Sequence, residues 1–157
     1  MRSRIRKRIA TGVRCLRLLP AYIMLGSLKH HVILPRLARW AWQSPVGTRD
    51  HEAERTLIAS VARLNVLLGR ADDDCLQRSI LLYHVLSRAG ADPILVVGFN
   101  SNADRVRGHA WVVTDGQPII ECEINLQKFS PAFCFGSGGA LLSRDFLYSL
   151  PKSGCHG

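Results

Sequence analysis

Acidic residues are missing from the first 49 positions of this 157-residue chain, although eleven lysines and arginines occur there. The remainder contains ten basic and twelve acidic residues, so a segment of charge +11 precedes a part that is nearly neutral at −2. Charge placed so unevenly indicates an anionic partner, such as an acidic protein, a membrane surface or nucleic acid. A solvated basic helix face would give the same pattern, and the charge alone leaves both readings open.

Long apolar runs and paired cysteines are also missing. The longest apolar stretch, residues 18–28, contains Pro20 and is too short to cross a bilayer as one helix. No small-residue cleavage site follows the basic N-terminus, so a signal peptide is not expected. The five cysteines include no Cys-x-x-Cys pair, which argues against a disulfide framework and a thiolate zinc site. We therefore predict a cytoplasmic protein, for which a peripheral membrane contact through a basic helix stays open.

Motifs for nucleotides, serine nucleophiles and metals are absent as well. The glycine-rich residues 136–139 lack the Gly-Lys-Ser/Thr of a phosphate-binding loop. Phe135 stands where a serine nucleophile elbow around Ser137 requires glycine. Four histidines make no recognised metal spacing, namely His30, His31, His51 and His84. We predict no cofactor and no metal.

The hydrophobic patterns change along the chain from helical to strand-like. Residues 1–43 have the pattern of helices broken at Pro20 and Pro35, and residues 44–48 form the clearest linker. Two more helices are predicted, over 51–70 and from near Cys75 to just before Gly90.

Strands are predicted over residues 93–99, 109–114 and 118–124, followed by a glycine-rich loop and a short helix near 140–149. Helices followed by a meander of strands indicate an α+β fold. We divide the chain into a basic helical N-terminal segment, 1–48, and a domain over 49–150.

Residues 108–123, GHAWVVTDGQPIIECE, place a histidine at the start of a strand and three acids after it. Asp115 is roughly 20 Å from His109 along an extended strand and belongs to the turn. A two-residue Asp-Gly turn would put Cys122 opposite His109. A three-residue loop with a glycine bulge would instead put Glu121 opposite His109, within reach of an imidazole N–H. Turn chemistry alone favours neither.

A nucleophile would give a His–carboxylate pair its purpose, and Cys75 is the candidate. Unpaired N–H groups at the first turn of the predicted helix favour a thiolate there. The aspartates at 72–74 oppose it, and a neighbouring imidazolium of His109 would offset them. The competing interpretation is a small, buried apolar side chain. The agreement between a cysteine at a helix start, a histidine at a strand start and an acid on the next strand favours catalysis.

Two blocks, CLQRSILLYHVLSRAGADPILVVGF and GHAWVVTDGQPIIECE, resemble the lasso-peptide leader peptidases, also described as the microcin-processing B protein C-terminal domain family. These form a branch of the transglutaminase-like, papain-related cysteine protease superfamily. Their pattern runs Cys-Leu-x-Arg-Ser, a helix, a strand, His-Ala-Trp-Val, and an acid twelve residues after the histidine, usually aspartate. These positions are held here by Cys75, Leu76, Arg78, Ser79, residues 109–112 and Glu121. The resemblance covers residues 50–125 well and the N-terminal helices loosely.

The resemblance implies a transglutaminase-like core, in which the nucleophile-bearing helix packs on a small antiparallel sheet. It implies a peptidase that cuts a ribosomally made precursor between leader and core with a Cys-His-Glu/Asp triad. Cys75 would attack the scissile carbonyl, His109 would move the proton, and Glu121 would orient His109. The first 49 residues leave no room for a fused leader-recognition domain, so we expect the split form. Its partners would be the precursor leader peptide, a separate leader-recognition protein and an ATP-dependent lasso cyclase.

Two other functions are compatible with the sequence. A transglutaminase-like acyl transferase would use the same site but pass the thioester to an amine. A non-enzymatic cationic adaptor would bind peptide, membrane or nucleic acid. Trp40 and Trp42 lie near arginines, but helix packing is favoured over base stacking, so nucleic acid is not an expected partner. Trp111, on the same strand face as His109, either walls the site or belongs to the core.

Charge reversal tests whether the basic segment docks a partner. Replacing Arg4, Arg6, Lys7 and Arg8 by glutamate is expected to weaken partner capture about tenfold or more at low salt, because electrostatic steering reverses. Pull-down of the leader-recognition protein, precursor and cyclase measures the change, alongside leader release. Full retention of both properties contradicts the docking role.

Overall fold

A computed structural model describes residues 17–69, 74–100, 106–120, 126–143 and 145–146 of the chain. Within these ranges, helices precede an antiparallel sheet, which confirms the predicted α+β class. The helices are α1, residues 17–28, α2, Leu34–Ala41, α3, His51–Leu67, and α4, Cys75–Arg88. The strands are β1, Ile94–Asn100, β2, Arg107–Thr114, β3, Gln117–Ile119, β4, Ser130–Phe135, and β5, Leu141–Leu142. None of the described helices is long and apolar enough to cross a membrane.

Local capping chemistry defines the ends of α3 and α4. The Asp50 carboxylate accepts hydrogen bonds from the N–H groups of Glu52 and Ala53, which would otherwise lack partners at the start of α3. After the last turn of α3, Gly69 has φ 65°, and after that of α4, Gly90 has φ 82°. Both conformations are left-handed and suit glycine. The predicted end of α4 just before Gly90 is confirmed, whereas α3 ends at Leu67, earlier than the predicted range 51–70.

The two prolines of the N-terminal helices act differently. Pro35 lies in the first turn of α2, where its missing N–H removes no intrahelical bond, and the predicted break there is confirmed. Helix α1 instead continues through Pro20, so the break predicted at that residue is wrong. Tyr22 and Leu25 of α1 are buried, and this burial stabilises the helix around Pro20.

One hydrophobic core joins the N-terminal helices to the rest of the molecule. It contains residues from α1, α2, α3, α4 and one face of the sheet, including Leu25, Leu37, Val61, Tyr83 and Val112. The division at residue 48 rests on the charge of the chain and stays a prediction. Among the tryptophans of this region, Trp42 packs against the core, as helix packing predicts, whereas Trp40 is exposed.

Helix α4 lies at the centre of this core. Nine of its fourteen residues are buried, including the polar Gln77, Ser79 and Ser87. It contacts α2 and α3 as well as the first two strands of the sheet. A helix surrounded on several sides holds its first residue in a fixed place, which matters because that residue is Cys75.

The sheet has the order β3-β2-β1-β4-β5, with β1 in the middle. Leu95 and Val112 face the helices, whereas Val96, Trp111 and Val113 form a second, smaller cluster on the other face. Burial on both faces explains why β1 reads as a continuous apolar run without alternation.

The outer strands β4 and β5 were not predicted. Pro131 in β4 normally argues against a strand, but it pairs with Gly98 next to an irregularity in the β1–β4 register, where a proline is tolerated. The helix predicted near 140–149 is wrong at residues 141–142, which form β5. Residues 145–146 are helical, while residues 144 and 147–149 lie outside the described part.

Arg49 joins the start of α3 to the turn between β2 and β3. Its Nε lies 2.7 Å from Oε1 of the buried Glu54, and its two terminal nitrogens lie 2.9 and 2.5 Å from the carboxylate oxygens of Asp115. The hydrogen bonds to Arg49 hold the pKa of Asp115 below its usual value. Asp115 thus has a structural role in the turn, in agreement with its exclusion as a partner of His109.

The Asp115→Asn variant is expected to lower the free energy of unfolding at pH 7 by about 0.2–1 kcal/mol, since the Asp115 side chain is 60% exposed. Asparagine tolerates the left-handed backbone at this position, so mainly the charge is lost. The folded-state pKa of Asp115 is depressed, so its contribution exists above the unfolded pKa and disappears as pH falls through the folded value. Urea unfolding of both proteins between pH 7 and pH 3 measures this, and an equal difference at both ends contradicts it.

Candidate active site

Cys75 is the first residue of α4, as the sequence predicts. Asp74 occupies the N-cap position, but its side chain makes no capping hydrogen bond. The backbone N–H of Leu76 instead contacts the Cys75 sulfur and favours its thiolate form. The side chain is a half-buried thiol, so it differs from Cys134, which is fully buried in the second core cluster.

The Cys75 thiol and the His109 imidazole are hydrogen-bonded to each other across the interface between α4 and β2. Burial raises the pKa of the Cys75 thiol, but the hydrogen bond to His109, the N–H of Ala110 and the charge of His109 lower it by more. The pKa of the thiol therefore lies below its ordinary value. A thiolate paired with an imidazolium is the form in which a cysteine attacks carbonyl carbon.

Aromatic rings hold the His109 imidazole in place. Its centroid lies 4.9 Å from that of Phe129, with 24° between the ring planes, and 6.1 Å from that of Trp111, with 21° between the planes. Trp111 is also buried in the second core cluster, so the two readings of this residue are both correct. Phe129 was not singled out from the sequence, since it lies outside the two recognisable blocks.

Gly98 makes room for this stack. It pairs with His109 across the β1–β2 ladder. A Cβ atom at Gly98 would lie 2.8 Å from the Ser130 carbonyl oxygen and 3.0 Å from the Trp111 ring. A larger residue would therefore displace the tryptophan that packs beside the imidazole.

Lys29 neutralises the acid that directly precedes Cys75. Its Nζ forms a salt bridge with Asp74, and both side chains are mostly buried. It also donates a hydrogen bond of 3.3 Å to the Gln77 side chain. The negative charge that opposed a thiolate in the sequence is therefore paired, at least at Asp74. The lysine comes from the turn after α1, so the N-terminal segment contributes directly to the electrostatics of this site.

The turn between β2 and β3 settles the register that the sequence left open. Thr114 pairs with Gln117, and Asp115 and Gly116 have φ values of 52° and 76°. These values define a two-residue type I′ turn, so the three-residue loop is wrong, and with it the pairing that set Glu121 opposite His109.

The third member of the predicted triad lies outside the described residues. Strand β3 ends at Ile119, and Ile120 has φ 72°, a left-handed conformation that is strained for a β-branched residue. Residues 121–125 follow, and Glu121 and Cys122 are among those not described. The register of β3 therefore ends before Glu121, and its role in orienting His109 stays a prediction.

Within the described ranges, no group of three or more His, Cys, Asp or Glu side chains is arranged to hold a metal ion. The described geometry is that of an α+β domain with a thiol at the start of a central helix and a histidine on the neighbouring strand. The sequence profile of the transglutaminase-like superfamily matches residues 15–134, which is well over half of the chain. The chain belongs to this superfamily, and the predicted transglutaminase-like fold is confirmed. No curated protein and no solved structure matches the chain.

Removing the imidazole tests the thiol–imidazole pair. In the His109→Ala variant the pKa of the Cys75 thiol is expected to rise, because burial still raises it and the partner that favours the thiolate is gone. The rate of alkylation of Cys75 by iodoacetamide, followed by peptide mass spectrometry from pH 5 to pH 10, measures the shift. His30→Ala, at an exposed histidine, serves as the control and leaves the profile unchanged. Coincident profiles for wild type and His109→Ala contradict the pairing.

Proposed function

We propose that this protein is a cysteine peptidase that removes the leader from a ribosomally made lasso-peptide precursor. The proposal includes a separate leader-recognition protein and an ATP-dependent lasso cyclase as partners. The observation that carries the chemistry is the hydrogen-bonded pair of Cys75 and His109, with the Cys75 sulfur at a helix start. The blocks CLQRS and HAWV, which resemble the leader peptidases, support the choice of substrate.

The first half of the reaction forms a thioester. The Cys75 thiolate adds to the scissile carbonyl carbon, and the carbonyl π electrons move to oxygen. The backbone N–H of Cys75, which has no intrahelical partner at the first position of α4, is available to stabilise that oxyanion. When the intermediate collapses, the C–N bond breaks and the protonated His109 gives its proton to the leaving amine of the core peptide.

The second half of the reaction releases the leader. His109, now neutral, takes a proton from water, whose oxygen adds to the thioester carbon. Collapse of the second intermediate breaks the C–S bond, frees the leader carboxylate and restores the Cys75–His109 pair. In this scheme Glu121 accepts a hydrogen bond from the other ring nitrogen of His109 and so keeps the imidazole oriented.

Aminolysis is the main alternative to hydrolysis, because the transglutaminase-like superfamily is consistent with both. The same thioester would form, but an amine would replace water as the acceptor. Half-burial of Cys75 and the aromatic rings beside His109 do not discriminate between these acceptors. The identity of the product therefore decides.

The compartment and the basic segment are also part of the proposal. A nucleophilic thiol must stay reduced, and the cytoplasm provides that condition. The N-terminal residues provide positive charge for docking the precursor, the leader-recognition protein or the cyclase. Contact with an anionic membrane surface is the competing use of that charge.

The decisive experiment combines this protein, a leader-recognition protein and a precursor peptide. Cys75→Ala is expected to reduce leader release at least about 10³-fold, because the covalent route is lost. Cys155→Ala serves as the matched control and is expected to retain wild-type activity. Mass spectrometry reports the products over time.

Each outcome has a distinct meaning. Leader and core fragments whose summed mass exceeds the precursor by one water support hydrolysis. An amine adduct on the acyl fragment supports acyl transfer and overturns the peptidase assignment. Full function in Cys75→Ala, together with salt-dependent binding to an anionic partner, supports the non-enzymatic adaptor.

A further inference from the structure

Ser79 makes a buried hydrogen bond between α4 and β2 that the proposed chemistry does not itself require. Its hydroxyl donates to the carbonyl oxygen of Ala110 over 2.8 Å, and its side chain is 1% exposed. Ser79 lies four residues after Cys75, so both side chains project from the same face of α4. Ala110 is the residue directly after His109.

Cys75 and Ser79 together engage both backbone polar groups of Ala110. The Ala110 N–H contacts the Cys75 sulfur, and the Ala110 carbonyl accepts from the Ser79 hydroxyl. In an antiparallel strand the N–H and C=O of one residue point to the same side. At Ala110 that side faces α4. The Cys75 and Ser79 side chains therefore bond to the Ala110 N–H and C=O, which in a wider sheet would bond to a neighbouring strand.

The parity of β2 agrees with this arrangement. Val112 and Thr114 follow Ala110 at intervals of two residues, and they pair with Ile119 and Gln117 of β3. Residues two apart in a strand direct their backbone groups to the same side. The first turn of α4 therefore lies on the same side of β2 as β3, next to the end of the short β2–β3 ladder.

Two bonds constrain the helix more than one does. The apolar core restrains the body of α4, but a single contact between sulfur and the Ala110 N–H would still let the first turn of α4 rotate slightly about that contact. The second contact, one helical turn away or about 6 Å along the axis, prevents the rotation. The position of the sulfur relative to the imidazole then follows from the position of Ala110, which is covalently joined to His109.

We propose that Ser79 is a positioning residue, which holds the start of α4 against β2 so that the Cys75 sulfur stays within hydrogen-bonding distance of His109. The inference rests on the proposed role of Cys75 as nucleophile. Ser79 touches neither substrate nor reacting atoms in this scheme. Its effect passes through Ala110 to the geometry of the pair.

A purely structural role for Ser79 makes a different prediction. If the hydroxyl only satisfied a buried carbonyl, its removal would lower stability and leave the ionisation of Cys75 unchanged. If it positions the helix, its removal also weakens the hydrogen bond between Cys75 and His109. Among the described residues, Asp74 and Lys29 are the other charged groups in contact near the start of α4. They pair with each other and are present in every variant considered, so they do not cause a difference between variants.

The test compares Ser79→Ala with Ser87→Ala. Ser87 is also buried in α4, but its hydroxyl donates to the His84 carbonyl of the same helix and accepts from the Gln43 N–H. Both variants lose a buried hydroxyl from one helix, and only Ser79→Ala loses the bond to β2. The profile of Cys75 alkylation by iodoacetamide against pH is recorded for each, with stability measured by urea unfolding.

We expect Ser79→Ala to slow alkylation of Cys75 at pH 6 by about 3- to 10-fold, because less thiolate is present and its greater nucleophilicity offsets only part of the loss. Ser87→Ala is expected to match wild type in this assay while losing comparable stability. Ser79→Thr, which keeps the hydroxyl, is expected to restore most of the rate if it folds. In the leader-release assay Ser79→Ala is expected to lower kcat with little change in KM.

An alkylation profile of folded Ser79→Ala that coincides with wild type overturns the positioning role. So does an equal shift in Ser87→Ala, which would trace the effect to general loosening of α4. Because alkylation needs no peptide substrate, it separates this inference from the proposed function. A shifted profile in a protein that releases no leader supports the positioning role and contradicts only the peptidase assignment.

Discussion

The contact between the first turn of α4 and the start of β2 is the constraint on which the site depends. Cys75 and His109 are 34 positions apart in the chain, and the pKa of the thiol is lowered only where the two side chains meet. Burial by itself would raise the pKa of the thiol and keep it protonated. The Leu76 N–H of the same helix turn, the His109 imidazole and the Ala110 N–H reverse that effect. The last two reach the sulfur because α4 is held against the strand that carries the histidine.

The rest of the fold supports this contact from several sides. Helix α4 is buried among the other helices and packs on β1 and β2, so its first residue has little freedom. On the sheet, Gly98 admits Trp111, and the rings of Trp111 and Phe129 confine the imidazole. The described part of the basic N-terminal segment belongs to the same structure, since its Lys29 pairs with Asp74 beside Cys75. Its charge therefore contributes to the site as well as to the surface.

Sequence reasoning was most accurate where the governing interactions are local. A helix start, a left-handed glycine after a helix and an apolar strand depend on neighbours within a few residues, and these predictions for α3, α4 and β1 hold. It was least accurate in the C-terminal part, where Pro131 argued against a strand at β4 and the glycine-rich loop gave no signal for β5. Both strands are stabilised by pairing with residues distant in the chain, and a single sequence contains no record of that pairing. Pro20 shows the same limitation, because tertiary burial of α1 outweighs a local helix-breaking signal.

The turn after β2 shows where local sequence signals end and tertiary packing takes over. Asp-Gly is compatible with a two-residue and a three-residue loop, and a one-residue difference in register changes which residue lies opposite His109. A cysteine at a helix start and a histidine in a strand could be predicted from the residues alone, because capping and periodicity act over short distances. The type I′ turn, the pairing of Lys29 with Asp74 and the two contacts on Ala110 could not be predicted in this way. Each of them joins segments whose approach depends on the packing of the whole core.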